Sequence, residues 1–542
     1  MENQLTLCLG KFQDQVDLRL DRWEAQQFAR RIWAKDPSLW QPEPQQGITD
    51  RLGWLVLPER MQDKCEDILS FAQQIKKEGF SHVLLLGMGG SSLAPEVFQK
   101  TLGNAPGFPE LIVLDSTHPA AIIAVEKKLD PANTLVLVSS KSGTTLETLS
   151  LFRYFWTWVS KNHEKPGRCF VAITDEGSPL EGLARENKFR RTFLPYPDVG
   201  GRYSAFTEFG LVPAALIGMD IQRLLDKGRI AKKNSLGFVL GAALGELAPH
   251  RDKLTIWTTS SLAGFPSWLE QLIAESTGKK GKGIVPVVEE SFVPTEIYGR
   301  DRVFVGIFLE QENSLELEGR LRELESSGNP TIRIYLKEKL DIGLEIFRWE
   351  LATASAGAVL GIHPFNQPDV QLAKDLTRLA MERSRETTDT AKGPLRGFSI
   401  EEEHTYACAL KSLLSKAKPG DYIALQAYLP PSAEITLALQ GLRIALLKHS
   451  HLATTLGFGP RFLHSTGQLH KGGPNTMLAI QITDVPEQDL HVPETDYTFA
   501  ALLEAQAQGD YHALQQKKRK SLRITLGQDV IEGLKKLAGF FN

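Results

Sequence analysis

The chain has 542 residues, 42% hydrophobic and 23% charged, which is the make-up of an ordinary soluble globular protein and too long for a single hydrophobic core, so two or more domains are expected. A formal net charge of -3 provides no global field for nucleic acid or an anionic membrane, so any bound anion must be attracted locally. Cys8, Cys65, Cys169 and Cys408 form no CxxC pair, the N-terminus has no signal-like pattern and no apolar run is long enough to span a bilayer, so a cytoplasmic protein without disulfide framework, zinc cluster or membrane anchor is expected.

Residues 1–75 carry helical patterns at Asp14–Trp33 and Pro58–Lys76, separated by a Trp- and Pro-containing loop, and read as a helical extension. From Gly79 the pattern becomes strand, turn and helix. Val83–Leu86 is a buried strand, Gly87, Gly89 and Gly90 form a turn, and a helix begins near Ala94 or Pro95. Strands at Leu111–Asp115, Thr134–Val138 and Phe170–Thr174 alternate with helical segments, which argues for a parallel sheet with ligands beyond its carboxyl edge.

Thr134–Thr148 holds the strongest chemical signal. An apolar strand runs into Ser139-Ser140-Lys141-Ser142-Gly143-Thr144-Thr145 and then into a helix from Leu146. Five hydroxyls and a glycine in seven positions place unpaired N–H groups and hydroxyls at a helix N-terminus, where a phosphate is the expected occupant. The turn GMGGSS (87–92) raises a dinucleotide alternative, weakened because its sixth position is Ser92, although Asp115 lies near the spacing for a ribose contact. No GxxxxGK[ST] sequence is present, so the P-loop reading fails.

A second α/β set follows Lys227, with strands in Leu254–Phe265, DRVFVGIFL and PTIRIYL, a helix ending at Gly278, and two helices broken at Pro364 and Pro368. Residues 384–398 read as a polar linker, and Ser399 with Glu402 as a capping box for a helix through Lys416. A third block follows, in which GFGPRFLHSTGQLHKGGPN reads as a loop and KKRK (517–520) as a solvated charge run. The division expected is therefore 1–75, 76–226, 227–383 and 384–542.

Six motifs, GMGGSS (87–92), SKSGTTLET (140–148), GGRYS (200–204), EQLIAESTGK (270–279), FNQPDVQLAK (365–374) and FLHSTGQLHKGG (462–473), together resemble the phosphoglucose isomerase (glucose-6-phosphate isomerase) family. In wording they are closest to the isomerase half of bacterial bifunctional transaldolase/phosphoglucose isomerases. The resemblance implies two doubly wound parallel-sheet domains of the sugar-isomerase (SIS) type, flanked here by a helical N-terminal and an α/β C-terminal extension. It implies a sugar phosphate as substrate, no metal or other cofactor, a place in glycolysis and gluconeogenesis, a homodimer, and association with a transaldolase.

Matched by position, the resemblance assigns the phosphate to Gly90, Ser91, Ser140, Lys141, Ser142, Gly143, Thr144 and Thr145, and a substrate contact to Gln271. Glu275 matches the base that moves a proton between C2 and C1, Arg202 the cation beside the reacting carbons, and Lys374 and His464 the ring-opening groups. The chemistry needs these types: a carboxylate to take and return the proton, a permanently charged guanidinium at the enediolate, and an acid and a base about the ring oxygen. Without the motifs, Glu275 reads as an ordinary helix-end residue, Lys374 as a surface lysine and Arg202 as an exposed charge on a tight turn. His363, His449 and His451 read as structural.

One feature departs from the family. Its histidine ordinarily lies between the glutamate motif and the lysine helix, but here that interval has none, and His464 follows Lys374 by ninety residues. Either the segment is relocated and folds into the same place, which Gln468 and the following glycines favour, or His464 is a look-alike. In the family this histidine comes from a neighbouring subunit. The expected activity is interconversion of glucose 6-phosphate and fructose 6-phosphate through a cis-enediolate. The alternatives are a non-catalytic SIS phosphosugar sensor and an isomerase of another hexose phosphate such as mannose 6-phosphate.

Overall fold

The computed structural model describes residues 4–43, 47–386, 398–399 and 403–541. Among the described residues fifteen strands form three five-stranded sheets, each flanked by helices. β1 (Gln4–Cys8) comes first, then β2 (His82–Gly87), β3 (Glu110–Leu114), β4 (Thr134–Ser139), β5 (Phe170–Ile173) and β6 (Arg191–Phe193). The last five make an all-parallel first sheet in the order β3-β2-β4-β5-β6. Every residue of β4, the central strand, is buried, which is why TLVLVS is a continuous apolar or small run rather than an alternating one.

β7 (Lys253–Thr258), β8 (Val285–Val288), β9 (Arg302–Leu309) and β10 (Thr331–Leu336) form the second parallel sheet. The N-terminal extension is not purely helical: β1 closes this sheet's edge, antiparallel to β10 with Gln4 opposite Tyr335. Five residues of mixed exposure carry no period strong enough to announce that strand. Each expected helical stretch is divided in two: Gln13–Ala25 and Phe28–Trp33 are separated at Gln27, which takes φ +52, and Leu57–Arg60 precedes Gln62–Glu78.

The third sheet consists of β11 (Phe398–Ser399), β12 (Tyr422–Tyr428), β13 (Ala453–Phe458), β14 (Met477–Thr483) and β15 (Lys520–Thr525), all parallel, in the order β11-β15-β14-β12-β13. It has its own apolar core around Ile423, Leu439, Ile480 and Ile524. A separate apolar patch of Val285 and Val287 from the second sheet with Tyr422, Ala424, Ala453 and Leu469 welds the two sheets together.

Several local expectations change. The segment read as a single loop before β14 contains the end of β13, a 3-10 turn at Arg461–His464 and a helix at Gly467–Gly472. KKRK is solvated only in its first half: Lys517 and Lys518 are exposed, but Arg519 is buried and donates to the carbonyls of Lys471 and Gly473, and Lys520 opens β15 while pairing with Asp421. The 226/227 division falls inside a continuous helix, Ile221–Lys233. Linker residues 387–397 and the capping-box Glu402 lie outside the described residues. No helix among the described residues is long and apolar enough to cross a membrane.

Candidate active site

In the first sheet the chain leaves β2 for β3 on one side and returns to β4 on the other, so the carboxyl ends of β2 and β4 form the switch point where such sheets hold ligands. Two glycine-containing turns meet there. After β2, Gly89 takes φ +56 and Gly89–Ser91 form a 3-10 turn. After β4, the chain enters 140–145, where Ser140 Oγ and Thr145 Oγ1 lie 3.0 Å apart, as do Ser142 Oγ and Thr144 Oγ1. Gly143 takes φ +67, and a Cβ there would approach the Leu180 nitrogen to 2.7 Å. Ser142 and Thr144 are exposed, and helix Leu146–Ser160 begins without a side-chain cap, so its first N–H groups and these hydroxyls are available to a phosphate.

Lys141 is held by an ion pair of its own. Its ammonium lies 2.8 Å from both oxygens of Asp175, an ion pair that anchors the loop to the segment after β5. Asp115 is likewise engaged, accepting from Ser92 Oγ at 3.2 Å and paired with Arg461 at 3.1 Å, in place of the ribose contact that the dinucleotide alternative requires.

The third motif meets the first through bare backbone. A Cβ on Gly90 would fall 2.0 Å from the carbonyl oxygen of Gly201, so only glycine permits this approach. It brings Arg202 inward. Far from being an exposed charge on a turn, Arg202 is 3% exposed and every nitrogen of its guanidinium is engaged. Nε donates to Ser276 Oγ at 2.8 Å, Nη2 to the carbonyls of Pro364 (2.6 Å) and Asn366 (3.0 Å), and Nη1 to Gln367 Oε1 at 3.3 Å. Nη1 also lies 3.3 Å from Glu275 Oε1.

Glu275 and Gln271 stand one turn apart on helix Phe265–Thr277, which is buried along almost its whole length. Gln271 Nε2 donates to Glu275 Oε2 at 3.2 Å and to the backbone carbonyl of His464 at 2.7 Å. Gly89 completes the junction, because a Cβ there would sit 2.8 Å from both Gln271 Nε2 and the His464 oxygen.

His464 thus arrives from the third block of the same chain. Its Nε2 lies 2.8 Å from Glu147 Oε1, in the first turn of the helix behind the phosphate loop, and Gln506 Nε2 donates to the same oxygen at 2.7 Å. Burial pushes the Glu147 carboxyl up, but the neighbouring His464, its hydrogen bond and the more distant Lys374 outweigh that and hold it below its ordinary range. Gln468 binds the segment to the helix of Glu275: it donates to the Gly278 carbonyl at 2.8 Å and to Asp369 Oδ2 at 2.9 Å, and accepts from the Asp369 N–H at 2.9 Å.

Lys374 stands exposed on helix Val370–Glu386, its charge felt at Glu147. Sequence reasoning misses Glu147 and Gln367, although both lie inside quoted motifs, SKSGTTLET and FNQPDVQLAK. A carboxylate two residues past the hydroxyl loop is the signal that could have found the first. His470 is buried against Gln426, 3.1 Å away, and has no part in the cleft's hydrogen bonds.

Known proteins resemble this chain in sequence and in fold. The sequence model of the phosphoglucose isomerase family matches residues 55–237, the part carrying Gly90, the phosphate loop and Arg202. The glucose-6-phosphate isomerase of Rubrobacter xylanophilus is 26% identical over 394 residues, covering 62% of this chain and 90% of that protein. That of Staphylococcus saprophyticus is 27% identical over 387 residues, covering 60% and 86%. Among solved structures, a hypothetical protein from Thermus thermophilus superposes with a TM-score of 0.60 at 25% identity, covering 69% of this chain and 99% of that one. A glucose-6-phosphate isomerase from Chlamydia trachomatis shares the fold at 19% identity and a TM-score of 0.53, covering 66% and 79%. By its motifs, its fold and these relatives, the chain is similar to the phosphoglucose isomerases, most directly over residues 55–237.

Proposed function

We propose that the protein interconverts glucose 6-phosphate and fructose 6-phosphate by ring opening and proton transfer through a cis-enediolate. The observation that carries this reading is the unbroken chain of contacts from the anion loop to the carboxylate. Thr145 ends the loop, Glu147 lies two residues on and holds His464, the His464 carbonyl holds Gln271, and Gln271 holds Glu275 beside Arg202.

In this reading the loop and the N-terminus of helix Leu146–Ser160 grip the dianion, and Glu275 lifts the proton from C2 and returns it to C1. The electron pair left behind spreads onto the C1 and C2 oxygens, where Arg202 supplies a fixed positive charge. Because its donors are pinned by two carbonyls and two side chains, the guanidinium is already oriented when charge develops. With His464 Nε2 turned to Glu147, Nδ1 is the nitrogen left for the ring, and Lys374 is its partner in ring opening. His464 acts in cis, so the chemistry requires neither the neighbouring subunit of a homodimer nor an associated transaldolase. A coupled assay from fructose 6-phosphate tests the core of this: Glu275→Gln is expected to lower kcat about a thousandfold with little change in KM. Equal turnover in the two proteins overturns the assigned base.

A further inference from the structure

Just beyond the C-terminal end of the Glu275 helix lies a cavity of about 510 Å³ that the proposed mechanism does not use. Its charged lining is unbalanced: Lys279, Lys280, Lys471, Lys517 and Arg519 face a single carboxylate, Asp369. Lys517 is 2.5 Å from Asp369, and Lys471 is 2.5 Å from Asp510. Among the described residues no carboxylate pairs with Lys279, Lys280 or Arg519. Arg519 is nine-tenths buried, yet its Nε has no hydrogen-bond partner, while Nη2 is occupied by two carbonyls. A buried donor without an acceptor costs on the order of 1–3 kcal/mol, so its retention in a basic cavity points to an acceptor that comes from outside the chain.

We propose that this cavity is a second anion site, for a small phosphate-bearing polyanion, and that its occupant acts on the helix of Glu275 through Lys279. The volume is that of a small-molecule pocket, and a compact multivalent anion matches the uncompensated charges of Lys280 and Arg519 beside the amine of Lys279. Lys279 supplies the link. Its Nζ donates at 2.7 Å to the carbonyls of both Glu275 and Ser276, closing the end of that helix from the cavity side. Burial, reinforced by Arg202, pushes its ammonium well below the usual lysine range. An anion restores the preference for the charged form and competes with the two carbonyls for its hydrogens, loosening the turn that aims Glu275.

The effect on turnover rests on Glu275 being the base, but binding does not, so the two are measured separately. Calorimetric titration with inorganic pyrophosphate, in saturating fructose 6-phosphate to occupy the loop at 140–145, is expected to show one binding event. Lys280→Glu, at an exposed position, weakens it at least tenfold, and Arg519→Gln, checked for folding by circular dichroism, does the same. In the coupled assay at saturating substrate, pyrophosphate lowers kcat of the wild type and leaves that of Lys280→Glu unchanged. Absence of binding in the wild type, or equal affinity in wild type and Lys280→Glu, overturns the site. Binding that is lost in Lys280→Glu without any change in wild-type kcat overturns the link through Lys279.

Discussion

The two ends of the cleft are built in opposite ways. The end proposed to hold the phosphate is one continuous stretch: β4, six loop residues and a helix, held by hydroxyl pairs within the loop and by the Lys141–Asp175 bond. The end proposed to transfer the proton has no such continuity. Arg202, Glu275, Gln367 and His464 are separated by tens to hundreds of residues and meet only because three sheets pack together. A locally built site survives as long as its own turn is intact, whereas an assembled one depends on every interface that delivers a residue. Function at the second end is therefore hostage to the third block, which contributes no reacting carboxylate but brings His464, Gln468 and Gln506.

The largest effect tests whether one chain assembles that end. Glu275→Gln and His464→Asn are each expected to be severely impaired, the second by about a hundredfold. Mixing the two, after unfolding and refolding together, is expected to recover nothing beyond the sum of the separate proteins, because each chain supplies both groups to its own cleft. If His464 instead served a neighbour, a mixed dimer would regain one intact site. Recovery toward a quarter of wild-type activity would refute delivery in cis.

A smaller effect is expected at the continuous end. Ser142→Ala combined with Thr144→Val removes two exposed hydroxyls from the loop but touches nothing that holds Glu275 or Arg202. Hydrogen bonds to a charged group contribute roughly 1.5–3 kcal/mol each, so KM for fructose 6-phosphate should rise on the order of a hundredfold while kcat stays within a few-fold. A fall in kcat comparable to that of His464→Asn would show that the two ends are not separable.

The same contrast explains what the sequence made legible. Strands of a parallel sheet are buried on both faces, so Leu84–Leu86 and Leu135–Val138 stand out as apolar runs, and turns with glycines and hydroxyls mark where they end. The anion loop is visible for that reason alone. Glu275, Arg202 and His464 offer no local signal and entered only through resemblance, since nothing near Arg202 foretells that residues 275–276 and 364–367 close over it. β1, β6 and β8 are short or edge strands, and β15 begins inside KKRK, where charge conceals burial. Arg519 is buried because two carbonyls from the His464 block need a donor, a demand created by tertiary packing.

The assembled end should also report its interfaces through pH, with the least effect on turnover. Glu270 precedes Gln271 on the helix of Glu275, and burial first, then the charge of Glu289, push its carboxyl up to about 8 against the pull of Arg443 and Arg461 from the third block. Below about pH 4.5 the folded and unfolded chains both carry this proton and ionisation makes no difference. Between pH 4.5 and about 8 the unfolded chain releases it while the folded chain keeps it, so stability falls as pH rises. Glu270→Gln, which mimics the protonated form, removes that slope, so the variant gains on the wild type between pH 5 and pH 8 by up to a few kcal/mol, since a tenfold change in proton affinity is worth about 1.4 kcal/mol. Urea unfolding of both proteins at the two pH values measures the gain. A stability difference that does not change with pH would mean that Glu270 is ionised in the folded protein, its charge compensated by the arginines of the third block.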